Sequence, residues 1–269
     1  MARKWTKKEE VQKKKELFEF YIKQNKSISQ IAKILNVGES TVYDRLLRLN
    51  IPINRKNKEG YNNIRNDIFL PKKYSKDLAE FVGILLGDGH ITPTQVTVTL
   101  GKKENQFVEY VMNLMEKLFH VKPKKIITKR NDFVVYMGST KLVRWFLEMG
   151  MVSNKVKHQV DFPSWIFNND EFMKRALRGF FDTDGSVYKL KYGIQFSYCN
   201  KSVPLLKSTQ KMLLELGYFP SRVSNEKNVY LTRKLDLFRY CKEIGFGNKK
   251  HEKRFTQCIM GVSHSGNCS

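Results

Sequence analysis

The chain has 269 residues, 41% hydrophobic and 12% aromatic, which supports one large or two modest domains and excludes wholesale disorder. A net charge of +23 repels itself and points to a polyanionic partner, although a merely soluble basic protein carries the same sign. No apolar run approaches ~20 residues, so no membrane-crossing helix is expected; Cys199, Cys241, Cys258 and Cys268 form no C-x-x-C pair, so neither a zinc site nor a disulfide frame is expected.

The opening MARKWTKKEE lacks an apolar signal core, and an intracellular location (cytoplasm, nucleoid or organelle) is the expectation. Residues 1–76 carry 19 Lys/Arg against 8 Asp/Glu, and the remainder 30 against 18, so the partner is expected to span both parts. Residues 1–51 read as helices. TKKE at 6–9 suggests a capping box, followed by apolar Val11, Leu17, Phe18, Tyr21 and Ile22. In SISQIAKILNVGESTVYDRLLRLNI (27–51), Ser27 and Gln30 suggest another box. Ile28, Ile31, Ala32, Ile34 and Leu35 make one stripe, Asn36-Val37-Gly38 breaks it, and a second helix turns Val42, Leu46, Leu47 and Leu49 inward. Small Ala32 and a tight turn let the two helices cross closely, the helix-turn-helix pattern. It resembles the small three-helix DNA-binding domains of site-specific recombinases and transcription regulators; the alternative is a plain helical hairpin. On that resemblance Ser40, Thr41, Tyr43, Arg45 and Arg48 face DNA. Residues 52–76 read as a basic linker, with Arg55 and Lys56 as phosphate contacts.

From residue 77 the chain repeats itself. GILLGDGHI (83–91) precedes TQVTVTL, and GFFDTDGSV (179–187) precedes GIQFSYC. Each copy continues with a helix, a basic strand pair (KPKKIITKRNDFVVYM; PSRVSNEKNVYLT), another helix and an Asn-Lys, Asn154-Lys155 or Asn248-Lys249. The step from Asp88 to Asp184 is 96 residues, and from Lys155 to Lys249 it is 94. The expected fold is α+β: two α-β-β-α-β-β-α copies, residues 77–163 and 164–255, related by a pseudo-twofold axis, the single-chain version of a symmetric dimer. Residues 256–269 are expected to be a disordered tail.

Gly83 and Gly87 lie i, i+4 on one helix face, as do Gly179 and Thr183, so the two helices can pack through their backbones. Gly89 and Gly185 suit helix C-caps, which leaves Asp88 and Asp184 side by side at the negative ends of two helix dipoles. Two adjacent acids also repel each other. An offsetting divalent cation with oxygen ligands is the natural consequence, and Mg²⁺ suits few carboxylates plus substrate phosphates.

FVGILLGDG (81–89) and LRGFFDTDG (177–185) are similar to the two signature helices of the LAGLIDADG homing endonucleases in their single-chain, two-motif form. The resemblance covers about residues 70–255. It implies a site-specific endonuclease that cuts both strands of a long DNA site, with Asp88 and Asp184 as catalytic metal ligands and Gly87 and Thr183 beside them in the metal site. Mg²⁺ or Mn²⁺ would support cleavage, and Ca²⁺ would bind without supporting it. Leu86 departs from the pattern where an acid is common, while Asp182 keeps the acid. The family places a lysine near each active site to activate water or stabilise developing charge, which falls here on Lys155 and Lys249. Lys102 sits where a polar water-positioning residue is common, and its counterpart is Cys199 or Asn200, so unequal sites are expected. For each lysine a phosphate contact is the plain alternative. His90 follows the first motif where the second copy has Ser186, so it reads as structural or DNA-proximal. His158, His251 and His264 show no metal spacing, and Asn267-Cys268 resembles a splicing junction without an opening nucleophile at Met1, so splicing is not expected.

Strand alternation sets Val96, Val98 and Leu100 against Gln95, Thr97 and Thr99, and Ile194, Phe196 and Tyr198 against Gln195 and Ser197. The polar faces suit a duplex groove or an ordinary half-solvated sheet. Lys124, Lys125, Lys129, Arg130, Lys189, Lys191, Arg222, Ser224 and Lys227 complete the expected DNA contacts. The leading expectation is a monomeric, Mg²⁺-dependent endonuclease acting on double-stranded DNA. The alternatives are a non-cleaving transcription regulator or an intron RNA maturase.

Overall fold

A computed structural model describes residues 6–24, 26–51, 65–153, 155 and 158–263. The chain divides into two compact units, residues 1–62 and 63–269. The break falls inside the expected linker; Arg55 and Lys56 lie outside the described residues, as does Asn154.

In the first unit, α1 (Lys7–Phe18) starts at Thr6, whose hydroxyl accepts from Glu9 N at 3.3 Å while the Glu9 carboxylate accepts from Thr6 N at 2.8 Å. It runs into a π-helical turn, Glu19–Lys23. Ser27 and Gln30 cap α2 (Ile28–Leu35) in the same reciprocal way. Asn36 takes the left-handed conformation (φ 49°) that ends it, and α3 (Glu39–Arg48) follows from Gly38. The core is Leu17, Ile31, Ala32, Val42, Leu46, Leu49 and Ile51. Two positions read as inward point out: Ile34 is 50% exposed and Leu47 52%. So small a core accepts one narrow stripe per helix, and a residue one place beyond a buried one lies about 100° around the axis. Phe18, next to the buried Leu17, is exposed for the same reason, and Val11 is exposed as well.

The second unit is α+β. Its first repeat runs α4 (Lys76–Gly87), β1 (Gly89–Ile91), β2 (Gln95–Leu100), α5 (Asn105–Phe119), β3 (Lys124–Ile127), β4 (Phe133–Gly138) and α6 (Thr140–Glu148). After a 3-10 turn, Ser164–Asn168, the second repeat runs α7 (Asp170–Asp184), β5 (Gly185–Leu190), β6 (Gly193–Cys199), α8 (Val203–Glu215), β7 (Asn228–Leu231), α9 (Lys234–Glu243) and α10 (Lys249–Ser263). The antiparallel sheets are ordered β1-β2-β4-β3 and β5-β6-β7.

Two expectations are corrected. The second repeat has three strands among the described residues, because PSRVS does not form a fourth. Pro220 has no N–H, and Asn225 and Glu226 make a tight turn at φ 48° and 53°. Only the Ser224–Asn228 bridge and Ser221 N donating to Tyr230 O at 2.8 Å remain of the pairing. The expected disordered tail is helical as far as Ser263, since α10 packs Phe255 and Cys258 into the core; residues 264–269 lie outside the description.

The centre of the unit is the α4–α7 pair. A Cβ on Gly83 would run into the Ala176 carbonyl and stand 2.8 Å from Phe180 N. One on Gly179 would run into the Glu80 carbonyl and stand 3.0 Å from Ile84 N. These contacts interconvert under the 96-residue step, so the packing has pseudo-twofold symmetry. One turn on, a Cβ on Gly87 would strike Thr183 Oγ1, so at this level one helix supplies a bare backbone and the other a hydroxyl.

Candidate active site

Helix α4 ends at Gly87, and Asp88 closes its last turn by donating N–H to Ile84 O at 3.1 Å. Helix α7 ends on Asp184 itself. The glycines after them are needed for a different reason than a left-handed cap. Gly185 is extended (φ −89°), and a Cβ there would stand 2.6 Å from the Phe181 ring. A Cβ on Gly89 would stand 2.7 Å from Leu85 Cδ2. Each strand leaves its helix so sharply that its first residue lies against the last turn. The packing thus brings the two acids together: a Cβ on Gly87 would be 3.2 Å from Asp184 Oδ1.

The surroundings raise both carboxyl pKa values. Desolvation by surrounding protein lifts Asp184 to about 6; Asn200 opposes this, and the charge of Asp88 adds to it. Asn200 Nδ2 donates to Asp184 Oδ2 at 2.5 Å, while Asn200 Oδ1 accepts from Ser202 N at 2.8 Å, which fixes the amide. Asp88 reaches solvent but is raised by desolvation and by Glu104, with Lys155 and Lys250 opposing.

Of the three lysines expected at the site, the structure brings in one. Lys155 Nζ donates to Leu85 O at 3.1 Å, Leu86 O at 3.0 Å and Gly87 O, so it caps the carbonyl end of α4. Burial lowers its pKa, and Asp184 and Asp88 oppose that. Lys249 opens α10 and is exposed, as is Lys102 in the turn after β2. Lys250 is the second cation that acts on both acids. Its Nζ donates to Glu104 Oε1 at 2.6 Å, which also accepts from Asn248 Nδ2 at 2.7 Å, while Gly101 N donates to Glu104 Oε2 at 2.8 Å. The repeat step pointed to Asn248-Lys249; a shift of one residue on a helix changes the face completely.

Asp182 is fully buried, accepts from Gly247 N at 2.8 Å and Asn248 N at 2.9 Å, and is pushed up to about 7 by burial. It holds the α10 approach, whereas its counterpart Leu86 is plain core. His251 packs on Phe181, and burial lowers its pKa to about 4.

The donor set fits a hard divalent cation. Among the described residues no three His, Cys, Asp or Glu side chains gather as a metal cluster, so two carboxylates would leave positions for carbonyls, water and phosphate. Gly87 O would have to share with the Lys155 ammonium. Thr183 Oγ1 is bonded back to Phe180 O at 3.0 Å, so its hydroxyl serves the helix.

The expected DNA contacts fall on exposed hairpins and on a sheet face. Lys124, Lys125, Lys129 and Arg130 line the β3–β4 hairpin, with Lys125 paired to Glu109 at 2.7 Å. Lys189 and Lys191 lie at the tip of β5–β6, and Arg222 and Lys227 are exposed around half-buried Ser224. Thr99 is open and Gln95 and Gln195 are half-buried, but Thr97 and Ser197 are covered by their neighbours; Thr97 Oγ1 donates to His90 O at 3.1 Å. In the first unit Ser40, Tyr43 and Arg48 are exposed, Thr41 and Arg45 half-buried, and Arg48 pairs with Glu10.

A duplicated α+β unit with paired acids where two backbone-packed helices end defines a class of protein. Residues 171–245 match the model of the LAGLIDADG-like domain, which supports that family for the second repeat. Over 201 residues the chain is 25% identical to the replication factor C small subunit of Methanocaldococcus jannaschii, covering 71% of this chain and 11% of that protein. It is 27% identical over 202 residues to the glutamine–fructose-6-phosphate aminotransferase of the same organism, covering 70% and 18%. The chain thus spans less than a fifth of either relative. A solved structure of I-DmoI in complex with DNA and Mn is 19% identical, with a TM-score of 0.46, covering 63% of this chain and 96% of that one. Among the described residues no helix is long and apolar enough to cross a membrane.

Proposed function

We propose that the chain is a site-specific double-strand DNA endonuclease of the LAGLIDADG homing type, with Asp88 and Asp184 sharing one catalytic centre. The observation that carries this reading is the backbone packing of α4 on α7, which places two acids of raised pKa side by side. A protein that only binds DNA gains nothing from two acids facing a phosphate backbone. A matched segment that makes up a small part of two relatives with unrelated names behaves as a separable module, consistent with a mobile element.

Mg²⁺ or Mn²⁺ between Asp88 and Asp184 would supply charge neutralisation and a more acidic bound water. Asn200 orients Asp184 for that role. Lys155 holds the end of α4 in place and offers positive charge beside both acids. Lys250 balances Glu104, which otherwise adds to the negative charge at Asp88. The basic hairpins bind phosphates, Gln95, Thr99 and Gln195 read base edges, and the first unit lengthens the recognised site through its α3 face.

Asp88→Asn tests the reading by separating binding from chemistry. DNA affinity is expected to persist with cutting abolished. Unchanged cutting would contradict the assignment, and a wild-type protein that binds a defined site without cutting would instead be a regulator on this fold.

A further inference from the structure

The glycine packing of α4 on α7 is symmetric, so by itself it would let either helix pair with its own kind in a second chain. The charges at the opposite ends of these helices are not symmetric. Glu80 of α4 is fully buried, 3.0 Å from Arg175 Nη1 and 3.4 Å from Arg178 Nε of α7. Tyr110 also donates its hydroxyl to Glu80, and Asp77 stands 3.6 Å from Arg175 Nη2. Under the 96-residue step Glu80 corresponds to Ala176, Asp77 to Met173, Arg175 to Ala79 and Arg178 to Val82. In this cluster the acids therefore lie on α4 and the cations on α7. The one pair of opposite polarity between these helices among the described residues, Lys76 of α4 with Glu171 of α7 at 3.0 Å, is solvent-exposed.

We propose that Glu80, Arg175 and Arg178 form a pairing code that makes each repeat accept only the unlike repeat. Two α4 helices packed the same way would bury Glu80 of each against Ala79 and Val82 of the other, with no cation. Two α7 helices would set the half-buried Arg175 and Arg178 near Ala176 and Met173, with no acid in the place of Glu80 or Asp77. An uncompensated buried charge is strongly unfavourable, whereas in the mixed pair the Glu80 charge faces two guanidinium cations, although Glu80 Oε2 itself accepts no hydrogen bond. The surface fits one partner, a helix of opposite charge with glycine at the crossing, whether it lies in the same chain or in a second copy. The code acts on assembly and is independent of any cleavage.

The test uses full-length chains and light scattering. E80R, and separately R175E/R178E, are each expected to lose the cooperative melting transition. The triple variant E80R/R175E/R178E is expected to regain it as a monomer. Co-refolding E80R with R175E/R178E is expected to give a 1:1 heterodimer of twice the chain mass, because each helix finds its complement only in the other chain. The proposal is overturned if E80R melts like wild type. It is equally overturned if the triple variant is no better than its parents and the mixture yields no heterodimer.

Discussion

The end of α4 and the end of α7 stand at equivalent points of the two repeats and are finished differently. At α4 a lysine from far along the chain, Lys155, takes the last-turn carbonyls directly. At α7 the Asp182 carbonyl accepts from Asn248 Nδ2 and lies 3.3 Å from His251 Nε2, both from the start of α10, and the Asp182 carboxylate holds the same segment. The acid of α7 is also pinned by Asn200, whereas the residue that matches Asn200 by strand register is Leu100, the buried last residue of β2. Duplication preserved what the backbone packing needs, and the side chains around the two acids diverged.

The sharpest break of that comparison is to remove one acid at a time. Asp88→Asn and Asp184→Asn are each expected to lower cleavage by at least about 10³-fold, because neither acid suffices alone; a residual cut confined to one strand would show two independent sites. Next in size is Asn200→Ala. With Asp184 unpinned, cutting of one strand is expected to slow by about 10-fold, so nicked duplex accumulates in a gel time course. Equal slowing of both strands would place Asn200 outside the asymmetry.

Gly179→Ala would press a methyl into the Glu80 carbonyl and is expected to lower stability by about 1–3 kcal/mol in denaturant titration, with loss of activity as the acids move apart. Lys155→Met leaves carbonyls of the last turn of α4 without their cation and is expected to be smaller in stability, up to about 2 kcal/mol. Smallest is a pH effect. A carboxyl raised to about 6 keeps its proton in the folded state after the unfolded chain has lost it, so the stabilisation is complete below about pH 4 and disappears as pH climbs through 6. Asp184→Asn is therefore expected to melt higher than wild type at pH 7 and to flatten the profile between those values. A lower melting temperature at pH 7 would mean that the carboxylate is stabilising.

The sequence made legible whatever repeats. The two glycine-spaced helices, their acids and the alternating strands follow from periodicity, and α+β is the class observed. What it left hidden depends on distant segments meeting. Glu104 and Lys250 are 146 residues apart, and neither belongs to a motif. Lys250 rather than Lys249 is decided by the phase of α10, which counting along the repeat does not fix. The fourth strand expected in the second repeat does not form: Pro220 stands in the sequence, but the left-handed conformations of Asn225 and Glu226 that tighten the hairpin do not show in a basic, strand-like composition. Asn200 was visible only as one of two candidates, since its partnership with Asp184 needs the β5–β6 register.

The most direct measurement is cleavage of a randomised duplex library with Mg²⁺ by wild type, Asp88→Asn and Asp184→Asn, with sequencing of the cut ends. The account predicts one recurrent long site, cut on both strands by wild type and by neither variant. Enrichment of a bound site with no cut ends from wild type, or cutting that survives either substitution, would contradict a shared catalytic centre at Asp88 and Asp184.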